Sequence, residues 1–298
     1  MREPGTSYVP HLLMTALIAT WAGSFVVAKF AMQWMTPFAV VASRFLLGCL
    51  CILPFFLRST ERQREGTLGP GILAGLVLAI PYFLQMYGVR ETTASMGGFV
   101  TGLIVLLVAV GGALFFGARI GRATIVGLML GLTGIVTLCL TGDVDPDGVQ
   151  TNTLRGILLQ VGSAVGFAAH ILLLSHYGSK LATAPFAFWQ LAFTGALATL
   201  GTIFVSGIAV EGEPFAWSLG LLLALGYLGV LATGVAIGVQ AWVQPKIKPT
   251  HVALLFALQP LFGAIAGWLF RDEHLGPAQW LGGGLIVTAV VITARERS

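Results

Sequence analysis

Long apolar stretches, interrupted by short polar segments, follow one another along most of the chain. Each holds roughly 20 residues, which as an α-helix suffices to cross a hydrocarbon core about 30 Å thick. The pattern therefore predicts ten membrane-spanning helices. Their predicted bounds are 11–33, 36–57, 69–90, 92–116, 119–141, 154–178, 183–206, 216–243, 249–271 and 275–294.

Composition predicts an all-α integral membrane protein without a separate soluble domain. Hydrophobic residues make up 56% of the 298 residues and charged residues only 9%, whereas a typical soluble domain is about 25% charged. The first apolar run is longer than the roughly 7–15-residue core of a cleaved signal peptide. We therefore expect it to remain as the first helix, with the lipid bilayer as the partner of the whole chain.

The distribution of basic residues predicts the orientation. A formal charge of +4 is compatible with nucleic-acid binding. It is equally expected of a membrane protein, because Lys and Arg gather in the cytoplasmic loops of such proteins. With the amino terminus inside, eleven basic residues fall on the cytoplasmic side and three outside. We therefore expect both termini in the cytoplasm and no nucleic-acid partner. The inside set is Arg2, Arg58, Arg62, Arg64, Arg119, Arg122, Lys180, Lys246, Lys248, Arg295 and Arg297, and the outside set is Arg90, Arg155 and Arg271.

The two halves of the chain are similar when one is shifted by 155 residues. The shift superimposes Leu103 on Leu258, Ala109 on Ala264, Gly112 on Gly267, Phe115 on Phe270, Gly121 on Gly276, Ala123 on Ala278 and Gly127 on Gly282. Five spans per half is an odd number, so the second copy must enter the membrane upside down, as in the inverted repeats of secondary transporters. We expect a first repeat over 11–141, an acidic linker over 142–153 and a second repeat over 154–294.

Two segments resemble the EamA module of the drug/metabolite transporter superfamily. The opening WAGSFVVAK (21–29), followed by TPFAVVASRFLLG, is similar to the start of that module, and PTHVALLFALQPLFGAIAGWLFRDEHLGPAQWLGGGLIVTAVVI (249–292) is similar to its last two helices. The resemblance implies ten helices around a central cavity between two repeats, and a small-metabolite cargo, as in bacterial exporters of amino acids. Ala118 stands where the family usually has the glutamate that Glu273 supplies in the second copy, which favours Glu273 as a loop anchor.

Motifs for catalysis or cofactor binding are absent from the sequence. It contains no Gly-rich phosphate loop with its lysine, no HExxH helix and no CxxC pair. Cys49, Cys51 and Cys139 lie inside apolar runs, and the first two do not face each other on a helix. We therefore expect no enzyme activity, no cofactor and no metal site.

All twelve acidic residues fall in predicted loops, helix ends or tails. Pumps for cationic drugs typically use a carboxylate at membrane depth, where an acid is costly and kept for function. The sequence therefore disfavours organic cations as cargo and proton antiport through a carboxylate.

Lys29, Arg44 and His170 are ionisable side chains within the apolar runs. Lys29 lies near the outer end of the first helix, where it can snorkel to the interface. Arg44 lies about 12 Å deep in the second helix, so it must bond to carbonyls, reach water or meet an anionic group of the cargo. His170, in the inner half of the sixth helix, is either a satisfied interior histidine or the proton carrier of a coupled mechanism.

The stretch IPYFLQMYGV (80–89) places polar and aromatic side chains near the middle of the third helix. Tyr82 and Gln85 share one face, with Met86 beside them, and Pro81 can kink the helix. The alternatives are a polar pair that packs helices together and the lining of a cargo cavity. The predicted substrate-binding set also includes Trp21, Ser24, Arg44, Thr101, Gln160, Ser163, His170, Tyr227 and Gln259, which are other polar or aromatic groups in the apolar runs.

These features predict a secondary transporter that exports amino acids, aromatic ones among them, or related small metabolites by alternating access. One alternative is a multidrug or nucleotide-sugar carrier of the same superfamily, and another is a membrane-embedded sensor or scaffold that does not transport. We expect a multi-pass protein of a bacterial inner membrane that is a monomer, with a homodimer as the alternative.

Overall fold

The described part of the protein is almost entirely helical. The computed structural model describes residues 9–117, 121–140, 143–144, 150–177, 180–208, 210, 217–243, 255–256 and 258–296. Within these ranges, seven helical stretches are long and apolar enough to cross a bilayer, namely Val9–Ala31, Pro37–Arg58, Leu68–Arg90, Ala94–Phe115, Leu154–Tyr177, Thr183–Ser206 and Leu219–Gln240. The described residues are thus those of a predominantly helical multi-pass membrane protein. The count of ten spans, three more than these seven, stays a prediction.

The helices follow the predicted order with different bounds. In the first half they are α1 (Val9–Ala31), α2 (Pro37–Arg58), a short α3 (Glu61–Arg64), α4 (Leu68–Arg90), α5 (Ala94–Gly102), α6 (Ile104–Phe116) and α7 (Arg122–Leu140). In the second half they are α8 (Leu154–Tyr177), α9 (Thr183–Gly201), α10 (Leu219–Gly226), α11 (Ala236–Val243), α12 (Gln259–Arg271) and α13 (Pro277–Glu296). The linker contributes a two-residue antiparallel pair, β1 (Asp143–Val144) and β2 (Gln150–Thr151).

Three predicted spans differ in detail. The fourth, predicted as one helix over 92–116, is broken at Leu103, whose N–H bonds the carbonyl of Val100 in a tighter turn. The seventh ends in a π-helical segment, Thr202–Ser206, and the eighth contains a longer one, Tyr227–Val235, between α10 and α11. π-Helical insertions often mark functional sites. The hydrophobic pattern of the sequence did not predict them.

Helices that hold the same place in the two halves pack against each other and run antiparallel. The direction follows from the residues that meet, since rising numbers on one helix face falling numbers on its partner. The contacts are Leu46 with Gly195 and Phe38 with Gly201 for α2 and α9, Gly98 with Gly263 and Gly102 with Pro260 for α5 and α12, and Gly127 with Thr293 and Gly134 with Gly282 for α7 and α13. Glycine at these crossings lets the backbones approach closely.

Helix α4 lies between α8 and α9 and carries the central polar stretch. It runs antiparallel to α8, with Pro81 against Gly166 and Leu84 against Gly162, and parallel to α9, with Gly71 against Trp189. Pro81 does not end the helix, which continues from Leu68 to Arg90. The small residue at 166 instead gives the proline ring room.

The turn between α4 and α5 is held by side chains from other helices. The Glu273 carboxylate accepts hydrogen bonds from the backbone N–H groups of Ala94 at 2.8 Å and Ser95 at 3.0 Å, and from the Ser95 hydroxyl at 2.7 Å. Lys29 donates to the carbonyl of Thr92. Glu273 therefore caps the start of α5, as expected of a loop anchor, whereas Ala118 lies outside the described residues.

Large apolar side chains that remain exposed are spread along the helices, as expected of a surface that faces lipid. Leu114, Phe115, Phe204 and Trp268 are each more than half exposed. Most polar residues of the predicted site are instead buried, and Trp21, Tyr82 and Tyr227 are partly buried.

Candidate functional site

An aromatic group centred on Tyr82 packs against the largest hydrophobic core of the described residues. The Tyr82 ring meets Phe45 of α2 edge to face, with ring centroids 4.7 Å apart, and Phe167 of α8 in the same way at 5.0 Å. The Arg44 guanidinium carbon lies 4.8 Å from the Tyr82 ring centroid, within the range of a cation–π contact. Tyr82 thus joins α2, α4 and α8 at one point.

Arg44 is almost completely buried, with 2% of its surface exposed. Its Nε donates to the Thr233 hydroxyl at 2.7 Å and its Nη2 to the Ala232 carbonyl at 3.2 Å. Both partners belong to the π-helical segment Tyr227–Val235. Of the alternatives that the sequence left open, bonding to a backbone carbonyl is therefore observed.

Gln160 of α8 is buried and unpaired within the described part of the chain. The residue is 2% exposed, and neither its amide oxygen nor its amide nitrogen has a hydrogen-bond partner among the described residues. It fits against Gly88 of α4 and Gly97 of α5, where an added Cβ would lie 2.9 Å from the Gln160 Cγ and 3.4 Å from its Nε2, respectively. Phe25 of α1 also closes on Gly97. The amide therefore lies where α1, α4, α5 and α8 converge.

Gln85 and Ser163 lie at the next level of the same crossing. Gly88 faces Gln160 and Pro81 faces Gly166 on these antiparallel helices, so Gln85 stands at about the level of Ser163. Both residues are buried, but among the described residues at this crossing the buried side-chain atoms without a partner are those of Gln160 alone. Gln85, Gln160 and Ser163 together are named the central polar group below.

Five other predicted site residues already use their polar atoms within the protein. The bonds are Trp21 Nε1 to the Ala232 carbonyl (2.9 Å), Ser24 hydroxyl to the Trp21 carbonyl (2.6 Å), Thr101 hydroxyl to the Gly97 carbonyl (2.7 Å), Tyr227 hydroxyl to the Thr20 carbonyl (2.8 Å) and His170 Nε2 with Gln190 Oε1 (3.0 Å). The interpretation of His170 as a satisfied interior histidine agrees with this bond. A substrate contact for any of the five stays a prediction.

The remaining predicted residues are apolar or peripheral to this group. Met86 is 2% exposed and belongs to the hydrophobic core around Phe45. Gln259 is buried at the start of α12, and its backbone carbonyl lies near Gly98 of α5.

Sequence reasoning missed several residues that shape the site. Gln190, the partner of His170, is a buried polar residue in an apolar run, which is a signal that a closer reading could have used. Thr233 offers the same signal, since it is 1% exposed and accepts from Arg44. Phe45 and Phe167 give no such signal, because a phenylalanine in an apolar helix is equally expected against lipid.

Two surface cavities of about 550 and 370 Å³ lie near one end of α4 and α8 rather than at Tyr82. The larger is lined by Leu84, Leu154, Leu158, Leu159 and Arg155, and the smaller by Tyr87, Arg90, Glu91 and Arg155. The central residues are packed against one another instead. A central cavity between the repeats therefore stays a prediction.

Comparison with known proteins agrees with this helical arrangement. A solved structure described as "Crystal structure of protein" superimposes with a TM-score of 0.68 over 97% of this chain and 99% of its own, at 21% sequence identity, which shows a shared fold. Many apolar helices and a buried, partly unsatisfied polar centre are features of membrane transporters. The model of the EamA-like transporter family matches residues 9–140 and again residues 154–295, so the chain belongs to that family.

Relatives of known sequence carry transporter names. An "uncharacterized transporter" of Archaeoglobus fulgidus is 28% identical over 95% of this chain and 84% of its own length. The "uncharacterized inner membrane transporter YedA" of Escherichia coli is 25% identical over 93% of this chain and 88% of its own. A "probable amino-acid metabolite efflux pump" of Escherichia coli is 24% identical over 94% of this chain and 93% of its own. The protein is therefore a membrane transporter of the EamA family.

Proposed function

We propose that this protein is a secondary transporter that exports amino acids or related small metabolites across a bacterial inner membrane by alternating access. The observation that carries the proposal is the central polar group. Buried amides without partners cost free energy, and a fold retains them where something else fills their hydrogen-bonding capacity. A cargo with a polar end would do so at Gln160, with the buried Gln85 and Ser163 on the same pair of helices.

The chemistry of the surroundings favours a solute of amino-acid size. Tyr82, Phe45 and Phe167 supply aromatic faces next to the neutral amides. A few placed polar groups among apolar and aromatic walls are typical of small-molecule sites. The name of the Escherichia coli relative, an amino-acid metabolite efflux pump, points in the same direction.

The architecture proposed for this function has ten membrane spans in two inverted repeats, 11–141 and 154–294, joined by the linker 142–153. The antiparallel packing of α2 on α9, α5 on α12 and α7 on α13 supports inversion, because equivalent helices then cross the membrane in opposite directions. An even number of spans, with the predicted excess of Lys and Arg on one side, would leave both termini in the cytoplasm.

Alternating access then means that one repeat moves against the other around the central polar group. The contacts that would move are the glycine crossings, where the helices approach each other closely. His170 is the group through which a proton gradient would act in such a mechanism, since it is the one histidine buried among the described residues. In a facilitator it would have no such role.

The test is efflux of radiolabelled amino acids, aromatic and aliphatic, from proteoliposomes with and without an imposed pH gradient. Gln85→Leu and Gln160→Leu keep the size of the side chains and remove the amides, so we expect each to lower the flux at least tenfold. The matched control is Thr133→Val on α7, whose exposed hydroxyl bonds only its own helix at Met129. Equal flux from the wild type and both glutamine variants would refute the site.

The cargo is tested separately by competition. Unlabelled amino acids, organic cations and nucleotide sugars are added outside vesicles in which flux of a labelled amino acid has been established. Inhibition by amino acids alone supports the proposal. Inhibition by cations or nucleotide sugars would assign the protein to a different carrier type, and binding without flux would make it a sensor.

A further inference from the structure

Arg44 carries a positive charge that no acidic group of the described protein neutralises. It is the only Lys, Arg, Asp or Glu among the residues with described side chains that is buried. Its recorded partners are the Thr233 hydroxyl and the Ala232 carbonyl, both neutral. A guanidinium stays protonated in proteins, so this charge is permanent.

The hydrogen-bonding capacity of Arg44 is also only partly used. A guanidinium has five N–H donors in a planar fork, and two of them are accounted for by the bonds to Thr233 and Ala232. A clamp on the π-helical segment explains those two bonds. It does not account for the three remaining N–H donors. It also does not account for the permanent charge, because a buried glutamine could make the same two bonds with a smaller desolvation penalty.

The position of this charge links it to the central polar group. Arg44 lies over the ring of Tyr82, and Gln85 follows Tyr82 by three residues on the same face of α4. The neutral amides of Gln85 on α4 and Gln160 on the adjoining α8 offer carbonyl oxygens as acceptors. A permanent cation and nearby neutral acceptors are the complement of a solute with a carboxylate at one end and an amino group at the other.

We propose that Arg44 is the anion-binding group of the cargo site, and that the cargo binds through a carboxylate. This inference rests on the proposed function and narrows its substrate class to carboxylate-bearing solutes. A phosphate dianion does not match, because a single buried positive charge balances a single negative one. Lys29, the nearest alternative cation in α1, is only half-buried and is engaged with the Thr92 carbonyl at the α4–α5 turn.

The experiment measures equilibrium binding to the purified full chain in nanodiscs. The four ligands share the phenylalanine side chain: phenylalanine, its amide, its methyl ester and phenethylamine. Losing the carboxylate removes a charge-assisted hydrogen bond, so we expect each derivative to bind at least tenfold more weakly than phenylalanine. The same comparison is made with leucine, its amide and its methyl ester. Equal affinity of acid and amide in both series would overturn the proposal.

Two substitutions of Arg44 separate anion binding from a purely structural role. Arg44→Gln keeps hydrogen-bond donors for the π-helical segment and removes the charge, so the preference for acid over amide is expected to disappear. Arg44→Lys keeps the charge and is expected to retain most of that preference. A proportional loss of affinity for all ligands in Arg44→Gln would overturn the proposal in favour of a clamp.

The control is Arg155→Gln, which removes the same charge from an exposed position outside the site. It is expected to leave the preference unchanged. Should Arg44→Gln fail to fold, the wild-type ligand series still decides whether the cargo binds through a carboxylate. Arg44→Lys then tests Arg44, because a changed affinity for the acid with an unchanged affinity for the amide is expected only if this side chain contacts the carboxylate. Folded wild-type protein that binds none of the ligands contradicts the proposed function, whereas protein that binds and transports the amine as well as the acid contradicts only this inference.

Discussion

The cap that Glu273 places on α5 can be broken in two independent ways. Glu273→Ala removes the carboxylate that accepts from Ala94, Ser95 and the Ser95 hydroxyl. Gly267→Ala leaves the carboxylate in place but puts a methyl group where it overlaps Glu273 Oε2 and Ser95 Oγ. Both changes should uncap the same helix, so they should destabilise the protein by the same mechanism.

The magnitude follows from the bonds that are lost. A hydrogen bond to a charged group contributes about 1.5–3 kcal/mol, and a helix N-cap about 0.5–2 kcal/mol when replaced by alanine. Glu273 is only half-buried, so water replaces part of the loss. We expect about 2 kcal/mol for Glu273→Ala, which by the scaling of soluble domains is a fall in Tm of about 4–8 °C. Glu273→Gln, which keeps one acceptor, should lose about half as much.

The chain supplies a matched control for the glycine. Gly112 on α6 is the repeat equivalent of Gly267, and an added Cβ there meets nothing within 4 Å. Gly112→Ala should therefore leave Tm unchanged or raise it slightly, since alanine favours helix. The assay is thermal unfolding of the purified protein in detergent, followed by intrinsic fluorescence and by size-exclusion recovery.

The double variant completes the test. If both changes act on one cap, Glu273→Ala combined with Gly267→Ala should cost clearly less than the sum of the single losses. Additive losses, or a Gly267→Ala protein as stable as Gly112→Ala, would refute the role given to Glu273.

Three further results are expected from the same stability assay and from flux measurements. Gly75→Ala should lower Tm, because its methyl group would lie 2.7 Å from the carbonyl oxygen of Gln190, while Gly69→Ala, with open space around it, should not. Arg155→Ala should change stability by less than about 1 kcal/mol, since its side chain is 75% exposed and surface ion pairs contribute little; a larger loss would contradict this. Tyr227→Phe removes a hydroxyl that bonds the backbone of α1 and should cost about 1 kcal/mol in stability without changing cargo affinity, whereas a selective loss of affinity would make it a cargo ligand.

Much of the architecture could be read from local sequence. A run of about 20 apolar residues has one stable state in a bilayer, a helix with all its backbone bonds satisfied, so α1, α2, α4, α8 and α9 lie close to their predicted bounds. The role of Glu273 as a loop anchor was also predicted, because Ala118 replaces it at the equivalent position of the first copy and so disfavours a symmetric mechanism for that acid.

The contents of the site were less accessible. Tyr82, Gln85, Gln160 and Ser163 stood out as polar or aromatic groups in apolar runs. Nothing in the sequence separated Gln160, whose amide has no partner, from His170, whose ring is bonded to Gln190. That distinction depends on which side chains meet across two helices.

The sequence by itself determined that this chain is a duplicated helical membrane protein. The hydrophobicity of each span and the similarity of the two halves can both be read directly from the residues, without knowing which helices meet. Only the tertiary structure decided that Arg44 reaches Thr233, 189 positions away, and that a π-helical segment provides its acceptors. Those bonds depend on the register and direction of helix pairs. Register is set by the sum of many glycine and side-chain contacts along each crossing, and no single stretch of sequence contains it.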